Sequence, residues 1–165
     1  MVNKILIVYY SLTGNTKFIA ETIQEILKAE IQEIKPKKDV KPKGAMRYFW
    51  GGYKATMKKK PSLEPIEKNP NNYDVIIIGT PVWAWTIAPP IRSFLTQYDL
   101  SNKKVGFWCC HAGSPGGTLR IMEKCAPDSE VLGKIKFIDP LKKDTEEAKN
   151  KAIDWANEIL VKIGP

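Results

Sequence analysis

The stretch from Lys4 to Lys17, KILIVYYSLTGNTK, constrains the fold more than any other part of this 165-residue sequence. Residues 5–10 form a continuous run of aliphatic and aromatic side chains, which is typical of a strand buried on both faces. A loop at residues 11–16 ends this run, and apolar residues then recur at helical spacing. The stretch therefore predicts a strand, a tight loop and the start of a helix.

The loop has the chemistry of an anion site. A helix N-terminus presents unpaired backbone N–H groups and the positive end of the helix dipole, so it favours a bound phosphate. The hydroxyls of Ser11, Thr13 and Thr16 add further donors, as does the Asn15 amide, and Gly14 can adopt a positive φ. An ordinary capped turn would need only one such side chain. The loop has neither the P-loop lysine nor the GxGxxG pattern, which indicates a phosphate that is held and not transferred.

Beyond this stretch, short apolar segments alternate with amphipathic ones along the chain. Such alternation favours a parallel sheet with helices on both faces and right-handed crossovers. We therefore predict an α/β fold, a doubly wound sheet of five parallel strands, in one domain over residues 1–165. Asp144 or Thr145 is expected to cap the last helix. The predicted strands are residues 5–10, 30–34, 74–79, 104–110 and 131–138. The first predicted helix begins after residue 16, and the other four cover residues 46–57, 89–98, 118–125 and 144–163.

The net charge of +8 comes from one part of the chain, residues 35–60, which we call the basic segment. It contains ten Lys or Arg residues and one acid, whereas the rest of the chain is close to neutral. Its aromatic residues recur at helical spacing, so they are expected to be buried, and nucleic-acid binding is not favoured. The segment is either a solvated loop or a docking surface for an acidic partner protein.

The remaining composition indicates a protein of the cytoplasm. No apolar run is long enough to span a bilayer, and no signal-peptide pattern is present at the N-terminus. The three cysteines, Cys109, Cys110 and Cys125, lack CxxC spacing, which argues against a disulfide framework or a zinc site. We expect reduced, buried thiols and no bound metal.

Two further loops have an unusual composition. Residues 80–88, the predicted loop after the third strand, contain Trp83 and Trp85, although loops mostly lie in water. Packing against the next helix would account for either tryptophan alone, but together they predict a platform on which a flat ring stacks. Residues 113–117 contain three glycines, which allow the backbone to approach a ligand closely. Because ligands bind beyond the carboxyl ends of parallel strands, these loops and the first one are expected to converge.

The sequence S-L-T-G-N-T directly after the first strand resembles the flavodoxin signature T/S-x-T-G-N-T. The tryptophan loop and the glycine-rich loop resemble the segments that bracket the isoalloxazine ring in that family, and the likeness extends over essentially the whole chain. The resemblance implies a short-chain flavodoxin-like fold with strand order 2-1-3-4-5 and FMN as the cofactor. The cofactor-binding residues that it implies are Ser11, Leu12, Thr13, Gly14, Asn15, Thr16, Thr80, Pro81, Val82, Trp83, Ala84, Trp85, Cys110, His111, Ala112, Gly113, Ser114, Gly116 and Gly117.

Two features depart from the family pattern. Familiar flavodoxins are acidic, whereas this chain carries the basic segment. The tandem tryptophans leave open whether Trp83 or Trp85 stacks on the ring.

The last loop begins with Cys110 and His111. His111 is the only histidine, and it is either a hydrogen-bonded residue at a strand end or a group beside the flavin, where its charge would tune the ring. A tyrosine-phosphatase loop would require arginine where Gly116 stands, and a response regulator would require carboxylates where Tyr9 and Tyr10 stand. Both of those classes are excluded.

Three classes of function remain. An electron carrier needs the flavin, an exposed flavin edge and a docking face for redox partner proteins, but no catalytic residues. An NAD(P)H-dependent oxidoreductase acting on a quinone or a similar acceptor needs a second pocket over the ring, and the basic segment could hold an NADPH phosphate. A non-redox protein that binds nucleic acid or a membrane would leave the three loops unexplained. The absence of a nicotinamide fingerprint favours the carrier, as a monomer or homodimer.

Overall fold

The structure, a computed structural model, describes residues 3–39 and 58–164. Strands and helices alternate in most of these ranges as the sequence predicts, except that two strands follow one another before the second described α-helix. A short 3-10 helix, Pro70–Asn72, precedes the third strand. The strands are β1 (Ile5–Tyr9), β2 (Glu30–Glu33), β3 (Val75–Trp83), β4 (Thr86–Ile87), β5 (Lys104–His111) and β6 (Glu130–Ile138), and the helices are α1 (Asn15–Leu27), α2 (Pro89–Gln97), α3 (Thr118–Lys124) and α4 (Thr145–Ile163).

Five of the described strands run parallel in the order β2-β1-β3-β5-β6. The sixth, β4, is two residues long and pairs antiparallel with the end of β3. Apart from β4, the order is the expected 2-1-3-4-5, so the predicted parallel sheet and its topology are confirmed. Because the strand order reverses beside β1, a crevice opens between the loops that follow β1 and β3.

Side chains of the central strands alternate between two apolar cores, one on each face of the sheet. Ile7 belongs to the core with α1 and α4, which contribute Ile23 and Trp155 among others. Leu6 belongs to the opposite core, where Phe94 of α2 is fully buried. Each fully buried side chain of this size contributes about 1.5–3 kcal/mol relative to an exposed one. The unbroken apolar runs of the sequence therefore reflect strands that are covered on both sides.

The end of β3 differs from the sequence prediction, which assigned residues 80–88 to a loop. β3 continues to Trp83, because β5 still offers it a partner: Pro81 lies opposite Cys110. The chain then folds back as β4, which pairs with Val82 and Trp83. Both residues have high strand propensity, which the neighbouring proline obscured in the sequence.

Most of the basic segment, including the predicted helix over residues 46–57, lies outside the described residues. The start of the segment lies beside the residues that follow its end. Pro36 forms an antiparallel bridge with Leu63, and the Glu64 backbone N–H donates to the Lys35 carbonyl at 2.7 Å. The segment therefore begins just beyond the carboxyl end of β2, at the same edge of the sheet as the loops discussed below.

The three cysteines are free thiols, and their environments differ. Cys109 and Cys110 are buried in β5, as expected. The prediction of a buried thiol is wrong for Cys125, which is partly exposed because it follows the last residue of α3. None of the helices within residues 3–39 and 58–164 combines the length and the apolar character that a bilayer crossing requires.

Asp144 is the cap of α4, one of the two residues expected there. Its side chain accepts a hydrogen bond from the Glu147 backbone N–H at 2.9 Å. Replacing Asp144 by Ala is expected to lower the free energy of unfolding by about 1 kcal/mol, because a helix N–H loses its acceptor and a negative charge leaves the positive helix end. Urea unfolding measures this loss, with exposed Asp154→Ala in the same helix as the control. Equal losses in both variants would contradict the assigned cap.

Candidate functional site

A cleft of about 180 Å³ lies beyond the carboxyl ends of the strands. The structure brings the three predicted loops together here, after β1, β3 and β5, and adds a fourth loop after β6. The cleft is lined by Leu12, Thr13, Asn15, Pro81, Val82, Trp83, Cys110, His111, Ala112, Asp139 and Lys142.

The β1–α1 loop is closed by the Ser11 side chain. Its Oγ accepts hydrogen bonds from the backbone N–H groups of Gly14 and Lys17, both at 3.2 Å. Gly14 precedes the helix with φ 97°, a conformation that side chains other than glycine rarely adopt. The Ser11 hydroxyl therefore stabilises the loop, and it uses two of the N–H groups at its rim.

Several donors of this loop remain without an acceptor. Within the part of the chain that the structure describes, the backbone N–H groups of Thr13, Asn15 and Thr16 donate to no other residue. The Thr16 hydroxyl is also buried and has no well-aligned hydrogen-bond partner among the described residues, although the Cys110 thiol is close enough to interact with it. The first turn of α1 contains no acidic residue. Unpaired donors at the positive end of a thirteen-residue helix are suited to a bound anion.

The loop after β6 was not identified from the sequence. The Leu141 backbone N–H donates to Asn15 Oδ1 at 3.0 Å, which joins this loop to the start of α1. The Asp139 N–H donates to the His111 carbonyl at 2.9 Å. Lys142 and Asp139 line the cleft as a result. The sequence could have indicated these two residues, because residues 139–143 follow a predicted parallel strand and ligands bind at that end of a sheet.

The structure separates the two tryptophans. Trp83 lines the cleft and is half-buried, and its ring meets Tyr10 edge-on, with centroids 5.6 Å apart and an interplanar angle of 84°. The Tyr10 hydroxyl donates to Asp39 Oδ1 at 2.9 Å. Trp85 is 69% exposed and lies outside the cleft lining. Trp83 is therefore the tryptophan that can form a wall of the cleft.

The turn between β3 and β4 is strained. Ala84 and Trp85 both have positive φ, 47° and 61°, in a hairpin turn where Asn-Gly is the favoured pair. The Trp85 backbone packs against Gly116, where an added Cβ would lie 2.5 Å from the Trp85 carbonyl oxygen. Gly116 itself has φ 53°. A glycine at position 116 thus allows the loops after β3 and β5 to touch.

Other predicted site residues serve the structure of the loops. Thr80 is fully buried, and its hydroxyl accepts from the Ala88 N–H at 3.0 Å, so it positions the start of α2. The Ser114 hydroxyl accepts from the Gly116 N–H at 3.2 Å. At Gly113 an added Cβ would meet no atom within 4 Å, so no contact within the described residues requires glycine there. Gly117 is the residue directly before α3.

Burial favours the uncharged forms of Cys110 and His111 in the cleft and of Tyr10 beside it. Burial raises the pKa of the Cys110 thiol far above its usual range. Burial also lowers the pKa of His111 below its ordinary value, and the positive charge of Lys136 acts in the same direction. Burial, followed by the charge of Asp39, raises the pKa of Tyr10 well above 10. The described residues contain no cluster of His, Cys, Asp and Glu suited to a metal ion.

The fold and the site define a doubly wound protein that has a loop of unpaired donors and an aromatic wall at the switch point of its sheet. A family model described as flavodoxin matches residues 4–158. The chain therefore belongs to the flavodoxin family. It is similar to the flavodoxin of Maridesulfovibrio salexigens, with 25% identity over 167 residues that cover 98% of this chain and 99% of that protein.

Solved structures agree with this assignment. A flavoprotein from Lactobacillus acidophilus, solved in complex with FMN, has a TM-score of 0.67 and 28% identity, with 87% of this chain and 98% of that chain covered. A protein from Bacteroides eggerthii has a TM-score of 0.77 at 22% identity, with 96% and 98% covered. At 22% identity, the similarity to the Bacteroides eggerthii protein shows the fold alone.

Proposed function

We propose that this protein binds FMN in the cleft and carries electrons between redox partner proteins. The observation that carries this proposal is the set of unpaired donors in the β1–α1 loop, directly beside a cleft that has Trp83 as a wall. Similarity to a flavoprotein that was solved with FMN supports the same cofactor.

The β1–α1 loop suits the phosphate end of FMN. A phosphate ester is negatively charged and offers acceptor oxygens, and the loop offers several unpaired donors at a positive helix end. The N–H groups of Thr13, Asn15 and Thr16, with the Thr16 hydroxyl, would hold it, because Ser11 already occupies the N–H groups of Gly14 and Lys17. One compact loop suits one phosphate, which favours FMN over FAD.

The cleft suits part of a flavin ring. Bound FMN supplies the ring that accepts and releases electrons. One side of the cleft is formed by Pro81, Val82 and Trp83, and another by His111 and Ala112. The volume of about 180 Å³ is below the range of about 300–1,000 Å³ that is usual for sites that enclose a ligand. One edge of the ring would therefore stay at the surface, as electron exchange with a partner protein requires.

The cofactor is tested by the visible absorption of the purified protein and by titration of the apoprotein. We expect a flavin spectrum, release of FMN on denaturation, and tighter binding of FMN than of riboflavin or FAD. A protein that stays colourless after incubation with FMN, or that prefers FAD, would refute this part of the proposal.

The carrier role is tested against the enzymatic alternative. We expect the FMN-loaded protein to exchange electrons with a one-electron donor protein and to oxidise NAD(P)H no faster than free FMN does. Steady-state NAD(P)H oxidation, measured with and without a quinone, checks this. Rapid quinone-dependent turnover would instead identify an NAD(P)H-dependent oxidoreductase.

The basic segment is proposed to dock acidic partners. Lys58, Lys59 and Lys60 are exposed, and the segment begins at the cleft edge of the sheet. Changing these three and Lys54 to Gln should slow electron transfer from an acidic donor at low ionic strength and flatten its salt dependence. One unit charge about 10 Å away contributes only about 0.4 kcal/mol in water, so the reduction potential should fall only slightly.

The control for this prediction changes lysines at the other end of the sheet. Lys28 and Lys124 are exposed at the C-terminal ends of α1 and α3, which return to the amino edge of the strands. Their replacement by Gln should leave the salt slope of the rate nearly unchanged. An unchanged slope in the basic-segment variant would show that this segment is only a solvated loop.

A further inference from the structure

His111 is a buried titratable group of the cleft to which the proposed function assigns no chemical role. It is the last residue of β5, it lines the cleft, and only 6% of its surface is exposed. Neither Nδ1 nor Nε2 makes a well-aligned hydrogen bond among the described residues, although the Gly113 backbone is close enough to interact with the ring and to raise its pKa. Gly113 could pair with only one of the two ring nitrogens, and leaving the other buried without a partner is costly, so this position indicates a partner that the bound ligand supplies.

The charges that face His111 come from several elements. Lys136 of β6 and Lys151 of α4 are positive, and Asp139, just after β6, is negative. Lys142 lines the same cleft, and the neighbouring Cys110 thiol is uncharged. Burial is the main cause of the lowered pKa of His111, followed by the charge of Lys136.

A neutral imidazole has one nitrogen that donates a hydrogen bond and one that can accept a proton. The ring of His111 is therefore able to respond to a new charge in the cleft, because a negative charge within about 4–6 Å favours the protonated form. Flavin reduction would place such a charge beside it.

We propose that His111 is the redox-linked proton acceptor of the cleft, donating a hydrogen bond to the flavin and taking up one solvent proton when the ring gains an electron. This inference rests on the proposed function. The electron comes from a one-electron donor protein and the proton from water. The one bond that forms is N–H on the imidazole, so the added negative charge on the ring is balanced by the added positive charge on His111.

The coupling has a defined pH window. Below the lowered pKa of the oxidised protein, His111 is protonated in both redox states, and above its pKa in the reduced protein it is neutral in both. Between these two values, reduction draws a proton onto His111. Because linkage is reciprocal, protonated His111 raises the reduction potential of the flavin as much as flavin reduction raises the proton affinity of His111.

The direct test measures the pKa of His111 by NMR in the FMN-loaded wild-type protein, oxidised and then reduced with dithionite. The chain has one histidine, so its imidazole signals can be assigned without a variant. We expect the pKa to be higher in the reduced protein by about one unit or more, a tenfold gain in proton affinity. A Lys151→Gln control should raise the pKa in both states and leave the difference unchanged. Equal pKa values in the two states would overturn the proposal.

A second measurement compares the reduction potentials of the wild type and His111→Gln as a function of pH. Within the window, the wild-type potential should fall more steeply, by up to about 59 mV per pH unit for one proton and one electron. Equal slopes would overturn the role of His111. A protein that shows no flavin spectrum before reduction would overturn the proposed function with it, whereas an FMN-loaded protein with a redox-independent pKa would overturn this inference alone.

Discussion

Replacing Thr13 and Thr16 together by valine is expected to weaken FMN binding by about 10²- to 10⁴-fold. Each hydroxyl would donate to a phosphate oxygen, and a hydrogen bond to a charged group contributes about 1.5–3 kcal/mol. Thr16 is the stronger case, because its hydroxyl is buried without a well-aligned partner among the described residues. Valine keeps the shape of threonine, so the loop should retain its fold around Ser11 and Gly14. Titration of the apoprotein with FMN, followed by flavin fluorescence, measures the loss.

Two controls separate loss of the phosphate contact from general damage. Riboflavin lacks the phosphate, so its affinity should be nearly the same in the wild type and the double variant. Thr22→Val lies farther along α1, where the hydroxyl donates to the Phe18 carbonyl at 2.9 Å, and it should leave FMN binding unchanged. Equal losses of affinity for FMN and riboflavin would show general damage to the loop and would contradict a specific contact between these hydroxyls and the phosphate.

Trp83→Ala is expected to weaken the binding of FMN by about 5- to 150-fold. Stacking of a flat ring on an aromatic side chain contributes about 1–3 kcal/mol. Trp83 is suited to this role because it lines the cleft and is held from one side by the edge-on contact with Tyr10. Riboflavin should lose affinity by the same factor, since the contact involves the ring alone. Trp83→Phe should recover most of the binding.

Trp85→Ala is the matched control for this prediction. Its side chain is exposed, so truncation should change FMN affinity by less than about twofold. Tryptophan fluorescence gives a second readout: FMN should quench the wild type and Trp85→Ala strongly, and Trp83→Ala less. If Trp85→Ala lost more affinity than Trp83→Ala, the assignment of the stacking residue would have to be reversed.

The backbone strain at Ala84 and Trp85 is held in place by a contact with the loop after β5. Two consecutive residues with positive φ cost about 1–2 kcal/mol each, and such strain persists only where surrounding contacts hold it. Here Gly116 provides the contact, because its missing side chain leaves room for the Trp85 backbone. The hairpin therefore points Trp83 into the cleft while its own turn residues pack outside it.

The sheet and the unpaired donors of the β1–α1 loop were predictable because they depend on local patterns. A short apolar run between turn signals favours a strand that is buried on both faces, and the first N–H groups of a helix have no partner within the helix. The order β2-β1-β3-β5-β6 followed from the family resemblance and from the alternation of strands and helices. Asp144 was one of the two cap candidates identified on the same local grounds, and the structure selects it over Thr145.

The roles of the two tryptophans, of Thr80 and of the β6–α4 loop depended on contacts between distant segments. Trp83 and Trp85 have the same chemistry and differ by two positions, so only pairing of β3 with β4 decides which of them faces the cleft. Asp139 and Lys142 reach the site because Asn15 binds the Leu141 backbone across 126 positions of sequence. Local sequence patterns determine which elements form and where donors are left unpaired, whereas side-chain direction and loop convergence are decided by non-local pairing, which no short stretch of sequence contains.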